Sequence, residues 1–258
     1  MTEQPLVSVI IPSYRRETDL IRCVKSIREN SVRKHRIFVL TPEISQSIKT
    51  SQIIYDFLVI DDNSRENSSR KKSLWAIINL GIKHADTDWV VWLNDDCLVN
   101  RGWDKEAFSN IEDNTALLVF SAKGILSSPE YRVIYSAEGI PCANYGALRK
   151  SSGFRFDERF QWFYGDADLS MQIASSSWNI EVVDFPGIIH NHKLDHNRVE
   201  NETNPATEED RKLMDVKWRY FKSVNNRIIK MNLFEKTLQF AKVSLKKLKK
   251  KLSNDSAF

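Results

Sequence analysis

Trp89-Val90-Val91-Trp92-Leu93-Asn94-Asp95-Asp96 is the stretch whose reading decides the fold. Five apolar residues, β-branched and aromatic, form a run too short for a helix and read as a strand buried on both faces. Three acceptor side chains crowd its carboxyl end. Adjacent carboxylates beside an apolar strand repel one another and are costly to hold without a cation. A hard divalent ion, Mg²⁺ or Mn²⁺, resolves the repulsion and can also hold a diphosphate. Asn-Asp-Asp is good turn chemistry too, and on these eight residues alone both readings stand.

Working towards the amino terminus, Leu74 to His84 carries Leu74, Ile77, Ile78 and Ile82 at helical spacing. Phe57 to Ile60 reads as a strand and Ile44 to Ile53 as a short helix. Arg36 to Leu40 is a strand stopped by Thr41 and Pro42, and Asp19 to Glu29 is a helix with Leu20, Cys23, Val24 and Ile27 on one side. Val7 to Ile11 is the opening strand, ended by Pro12. Strands alternating with helices predict an α/β fold with a mainly parallel sheet, right-handed crossovers and ligands at the carboxyl ends of the strands. Towards the carboxyl terminus, strands are expected at 116–120, 131–135 and 180–184, the last with Pro186 just beyond it. A helix is expected from Asp166 to Ser175, a loop at 200–207, and helix from Glu208 to the end.

Two further clusters carry chemistry. In Tyr164-Gly165-Asp166-Ala167-Asp168-Leu169, aromatic residues precede two carboxylates at a helix start. One carboxylate can cap the helix. The other can face a pocket walled by Trp162 and Tyr164 and take a proton from a hydroxyl. His190-Asn191-His192 follows the apolar Gly187-Ile188-Ile189; such a pair is commonly structural or solvent-facing, and its place after a strand, downstream of the carboxylates, also admits a metal ligand.

The order of these elements resembles glycosyltransferase family 2, the inverting enzymes with the GT-A fold. Val7-Ser8-Val9-Ile10-Ile11-Pro12-Ser13-Tyr14-Arg15-Arg16 is similar to the family's opening strand and donor-base loop. Ala76, Asn79, Gly81 and Ala85 match its Ala-x-x-Asn-x-Gly-x-x-x-Ala helix, and Asn94-Asp95-Asp96 stands at its metal motif. Gly153-Phe154 and Phe156-Asp157-Glu158-Arg159-Phe160 resemble its approach to the catalytic carboxylate, and Gly165-Asp166-Ala167-Asp168-Leu169 sits on Glu-Asp-x-Asp-Leu. The chain departs from the pattern at Asn94 (usually Asp), Gly165 (usually Glu) and Gln172 (often Arg). The resemblance covers about residues 7–195.

It implies an inverting displacement on a nucleoside-diphosphate sugar, with Mn²⁺ or Mg²⁺ held by Asp96 and His190 and with Asp166 as base. Pro12, Ser13, Tyr14, Arg16, Asn94 and Asp95 would contact the donor. Glu43 by spacing, and Asp62 by local spelling, both qualify as the acid near the nucleotide. Trp162, Tyr164 and Asp168 would meet a saccharide or glycolipid acceptor. The alternative is a catalytically idle nucleotide-sugar-binding module of the same fold. A nucleotide-dependent oxidoreductase is disfavoured, because no G-x-G-x-x-G follows the first strand.

The expected division is a GT-A domain over 1–205 and a helical extension over 206–258. Residues 222–258 carry ten basic and two acidic side chains, a net +8, so the rest of the chain carries −4 against a total of +4. Phe234, Leu238, Ala241, Leu245, Leu248 and Leu252 form a stripe flanked by lysines. Such a tail suits an anionic membrane surface rather than nucleic acid. The same spacing is a heptad, which leaves a homodimer open. Cys23, Cys97 and Cys142 show no metal or redox spacing. A polar start and no long apolar run point to a cytoplasmic protein, peripheral at the inner face of the cell membrane.

Overall fold

The computed structural model describes residues 7–13, 16–33, 35–41, 56–59 (backbone), 73–109, 111–125, 128–191, 205–225 and 227–232, with 235–237, 239 and 242 beyond. The elements are β1 (Val7–Pro12), α1 (Glu17–Asn30), β2 (Arg36–Thr41), β3 (Asp56–Val59), α2 (Leu74–His84), β4 (Trp89–Trp92), β5 (Cys97–Val99), α3 (Trp103–Ala107), β6 (Thr115–Lys123), β7 (Tyr131–Arg132), β8 (Ile134–Tyr135), β9 (Pro141–Cys142), β10 (Gly146–Arg149), α4 (Gly165–Ala174), β11 (Asn179–His190), α5 (Pro205–Trp218), β12 (Phe221–Val224) and β13 (Arg227–Lys230). The main sheet runs β3-β2-β1-β4-β10-β6-β11-β5. β1 to β4 are mutually parallel, β10 lies antiparallel between β4 and β6, and β11 is parallel to β6.

β1 shows why the sheet needs helices on both sides. Val7, Val9 and Ile11 pack with Leu20, Cys23, Val24 and Ile27 of α1, whereas Ile10 packs with Ile78 and Ile82 of α2. Alternate residues of a strand point to opposite faces, so a run with no polar face is stable only when both are covered. α2 approaches closely because position 81 has no side chain. A Cβ there would lie 2.7 Å from Ile10 Cδ1 and 2.9 Å from Leu40 Cδ1. Ser73 caps α2 by accepting from Ala76 N at 3.0 Å.

Three expectations are corrected. The strand predicted at 180–184 does not stop before Pro186; β11 continues to His190 through a register shift between Val183 and Ile188. Phe185 and Gly187 take left-handed φ values of 59° and 78° there. A bulge leaves residues outside the ladder, which is where a strand tolerates proline. The predicted strand at 131–135 is two short strands with different partners, β7 on β6 and β8 on β9. Helix is not continuous from Glu208 onward. α5 begins earlier, with Pro205 in its first turn, and ends at Trp218, after which β12 and β13 form a hairpin. Val224 pairs with Arg227 and Asn225 has φ 49°, the geometry of a two-residue turn. The helix expected at 44–53 and every residue of the Phe234-to-Leu252 apolar stripe lie outside the described residues.

Candidate active site

β4 and β11 build the site between them. β5 starts at Cys97, immediately after Asp96, and pairs antiparallel with the end of β11, Cys97 opposite His190. That register sets an imidazole from the far side of the sheet against the carboxylate at the tip of β4. Asn191 N donates to Asp96 O at 3.0 Å and fixes the approach. His190 Nε2 then lies 3.1 Å from Asp96 Oδ1. The imidazole also rests edge-on against Tyr145, with ring centroids 5.5 Å apart.

On the other side Arg16, just ahead of α1, reaches over the strand end. Its Nη1 donates to Asp96 Oδ2 at 3.0 Å and lies 3.5 Å from Asp95 Oδ1. Ser13, directly after β1, donates its hydroxyl to Asp95 Oδ2 at 2.7 Å. The two neighbouring carboxylates, both buried, are tuned in opposite directions. Burial pushes Asp95 up to about 6, outweighing the lowering from Ser13 and Arg16. Burial also works to raise Asp96, but His190 and Arg16 together hold it below the ordinary carboxylate value.

Asp96 Oδ1 is buried yet accepts no hydrogen bond of good geometry, although His190 Nε2 stands 3.1 Å away. Two ligands of one octahedral ion with bonds of roughly 2.1 Å stand about 3 Å apart, so the spacing fits a shared divalent cation. One carboxylate and one imidazole suit Mn²⁺ at least as well as Mg²⁺. Among the described residues no third His, Cys, Asp or Glu joins them. An open site of this kind leaves positions for a substrate diphosphate.

Asp166 sits in the first turn of α4, and Tyr164 is the residue that caps the helix. The expectation that one of the two carboxylates caps α4 is thus corrected. Tyr164 takes φ 65° without a side-chain cap bond. A non-glycine residue in that region stores strain, which concentrates at functional positions. Burial raises the Asp166 pKa, while the N–H groups of Ala167 and of Asp166 itself pull it back. Its charge also reaches Cys142 of β9, whose thiol burial and Asp166 push up. Ala143 O accepts from Trp92 Nε1 at 3.2 Å, and Gly146 pairs with Trp92. Asp166 is thus near enough to Cys142 of β9 for its charge to be felt there.

The segment before Asp166 is tied down from two directions. Asn79 of α2 donates to Phe156 O at 2.9 Å and accepts from Phe156 N at 3.1 Å, so the family-like asparagine has a structural task. From the other side comes α5. The buried Asp210 carboxylate accepts from Gln161 N, Trp162 N and Phe163 N at 2.8, 2.9 and 3.0 Å. Lys217 Nζ donates to Asp157 at 2.8 Å and pairs with Asp168, and Trp218 Nε1 donates to Asp168 Oδ1 at 2.8 Å.

Asp168 is consequently no acceptor contact. It is fully buried and also receives Gln172 Nε2 at 2.7 Å. It is a strut between α4 and α5, with Lys217 supplying the cation that Gln172 does not. The departure at Gly165 has a packing reason, because a Cβ there would lie 2.4 Å from Trp75 Cε2. Trp162 and Tyr164 are half-buried beside this segment, and Asn94 is half-buried with its Nδ2 3.3 Å from Tyr145 OH. Pro12 ends β1 next to Ser13. Tyr14, Glu43 and Asp62 lie outside the described residues.

Sequence reading missed Asp210, Lys217 and Trp218. Their signal was present: Asp210, Leu213, Met214 and Lys217 recur at helical spacing, so two charges lie on the stripe that packs inward.

The sequence pattern of glycosyl transferase family 2 matches residues 8–174, about two thirds of the chain. The chain belongs to that family. No curated protein matches it by sequence. Among solved structures, this family 2 chain resembles S. aureus TarS at 15% identity and TM-score 0.55, over 83% of this chain and 39% of that one. It resembles GalNAc-T7, solved with UDP, GalNAc and Mn²⁺, at 14% identity and TM-score 0.57, over 81% and 50%. It resembles the mannosyltransferase PcManGT from Pyrobaculum calidifontis, solved with GDP-Man and Mn²⁺, at 11% identity and TM-score 0.52, over 77% and 60%. The family 2 chain thus spans about two fifths to three fifths of these structures, and they establish the shared GT-A architecture.

Proposed function

We propose that this family 2 glycosyltransferase is inverting and metal-dependent. It moves a sugar from a nucleoside diphosphate to a hydroxyl of a saccharide or glycolipid, in bacterial surface polysaccharide or glycolipid assembly. The observation that carries the reading is the Asp96–His190 pair, 3.1 Å apart at the tip of β4 with a buried carboxylate oxygen lacking a good donor. Asp96 and His190 would hold Mn²⁺ or Mg²⁺, which would neutralise the leaving diphosphate. Arg16 borders the same place and adds a fixed positive charge. Pro12 and Ser13 line the donor side, where Tyr14, Asn94, Asp95 and one of Glu43 or Asp62 complete the nucleotide contacts.

Asp166 accepts the acceptor's proton as the new bond forms. A sugar hydroxyl is a weak nucleophile at neutral pH, and a carboxylate with a raised pKa is a better base than an exposed one. The N–H groups of Ala167 and of Asp166 itself oppose that rise. Trp162 and Tyr164 present apolar faces for the acceptor ring. Asp166→Asn keeps the shape and removes the basicity, so kcat should fall by about 10²–10⁴-fold with donor affinity unchanged. Unaltered kcat in that variant overturns the assignment. Donor hydrolysis that is absent with and without Mn²⁺ would instead favour the idle binding module, for which the changes at Asn94 and Gly165 speak.

A further inference from the structure

α1 links two charged places. Arg16 just before its first turn meets the carboxylates, and its last turn opens onto a second cleft of about 300 Å³ at the opposite end of the strands, by the start of β2. Fourteen residues at 1.5 Å each separate the two by roughly 20 Å. Arg28, Arg33, His35 and Ser31 line this cleft over an apolar floor of Ile27 and Ile37.

The local carboxylate is already used. Asp104 of α3, which is not part of the lining, accepts from Val32 N at 2.9 Å, Arg33 N at 2.8 Å and His35 Nε2 at 2.9 Å. The proton of His35 therefore sits on Nε2, and Nδ1, on the other side of the ring from that bond, belongs to a residue that lines the cleft. His35 is 5% exposed, and its Nδ1 has no hydrogen-bond partner among the described residues. The buried Nε and Nη1 of Arg33 have none either. Burial holds the imidazole pKa below its ordinary value despite Asp104, with Arg33 and Arg28 adding to the effect. The ring is neutral and Nδ1 is an acceptor. The nearby end of α1 does not supply the missing acceptor for Arg33, because Ile27 O is taken by Ser31 N at 3.1 Å and Ser31 Oγ at 2.6 Å.

A ligand that complements this set offers the guanidinium an acceptor, best an anionic one, and also brings a donor to Nδ1. Sulfate has no proton to give at neutral pH; inorganic phosphate keeps at least one, and a phosphate monoester, with a second pKa of about 6, keeps one only as its monoanion. We propose that the cleft beneath α1 binds a protonated phosphoryl group, as inorganic phosphate or as a small phosphate monoester. The site is independent of the glycosyl-transfer reading, and its residues take no part in the candidate active site.

The test is a titration of the full chain, ¹⁵N-labelled at histidine, with inorganic phosphate, glycerol phosphate and sulfate, following the imidazole nitrogens of His35. Phosphate should move Nδ1 saturably, with sulfate on the order of tenfold weaker, the loss of one buried hydrogen bond. Tighter binding of glycerol phosphate than of inorganic phosphate would identify a monoester as the ligand, and the reverse order free phosphate. Arg33→Gln should weaken phosphate on the order of tenfold or more. His35→Gln keeps a donor for Asp104 but carries its acceptor oxygen at another place than Nδ1, so it should reduce the preference for phosphate over sulfate. An unmoved His35 resonance, equal binding of sulfate and phosphate by the unaltered chain, or unchanged binding in Arg33→Gln would overturn the proposal.

Discussion

Asp95 and Asp96 are chain neighbours with opposite electrostatics, and the difference lies in their partners: both meet Arg16, but only Asp96 also meets His190. Asp95 faces Ser13 and stands farther from the same Arg16 Nη1, at 3.5 Å against 3.0 Å for Asp96, so burial wins and its carboxyl rises to about 6. The ordinary value is near 4. Below about pH 4 the group is protonated whether the chain is folded or unfolded, and it contributes nothing. From about 4 to 6 the unfolded chain ionises first, so stability falls as pH rises, by at most about 3 kcal/mol. Asp95→Asn should therefore raise the thermal midpoint in metal-free buffer at pH 7.5, with the gain vanishing near pH 4. A midpoint that drops at pH 7.5 would show that the ionised carboxylate stabilises the fold. At position 165 a methyl group would meet the Trp75 ring, and Gly165→Ala should cost about 1–3 kcal/mol in denaturant unfolding. A neutral substitution would mean that Trp75 has room to move.

At the scale of elements, α5 decides the shape of the segment leading to Asp166. Three consecutive N–H groups converge on one buried carboxylate, and leaving a buried donor without its acceptor typically costs about 1–3 kcal/mol. Asp210→Ala should speed hydrogen exchange at residues 161–163 before any change appears in β1 or β4. Uniform exchange across the chain would show global unfolding instead. Lys217→Met leaves Asp168 buried with only neutral donors, Gln172 and Trp218, and should destabilise the fold by a similar amount.

How much of this was legible in the sequence follows from the range of the interactions. α2 and the parallel strands were readable because their apolar periodicity is local. The tip of β4 and the first turn of α4 were readable because carboxylate clusters at element ends are local too. The strut role of Asp168 was not, since its partners Lys217 and Trp218 stand about fifty residues away and Lys217 looks like a solvated lysine in isolation. The β12–β13 hairpin was obscured by flanking helical patterns, although Asn225-Asn226 between β-branched runs marked its turn.

At the scale of the whole molecule, charge is segregated. The body carries −4 and residues 222–258 carry +8. No helix among the described residues is long and apolar enough to cross a membrane. We propose that 233–258 holds the enzyme at the inner face of the cell membrane, where each basic side chain near an anionic surface contributes about 1 kcal/mol. Deleting 233–258 should release the protein from anionic liposomes. If the full chain ignores liposomes and the deletion turns a dimer into a monomer, the stripe is a coiled-coil seam.

The central claim is that the tip of β4 and the end of β11 together form a metal-dependent site for a nucleoside-diphosphate sugar. The most direct measurement is calorimetric titration of the full chain with UDP- and GDP-sugars, with Mn²⁺ and with EDTA, repeated on Asp96→Ala and His190→Ala. The predicted result is saturable binding of at least one donor with Mn²⁺, lost in EDTA and in Asp96→Ala and weakened in His190→Ala. Donor binding of equal strength in EDTA and in both variants would contradict it.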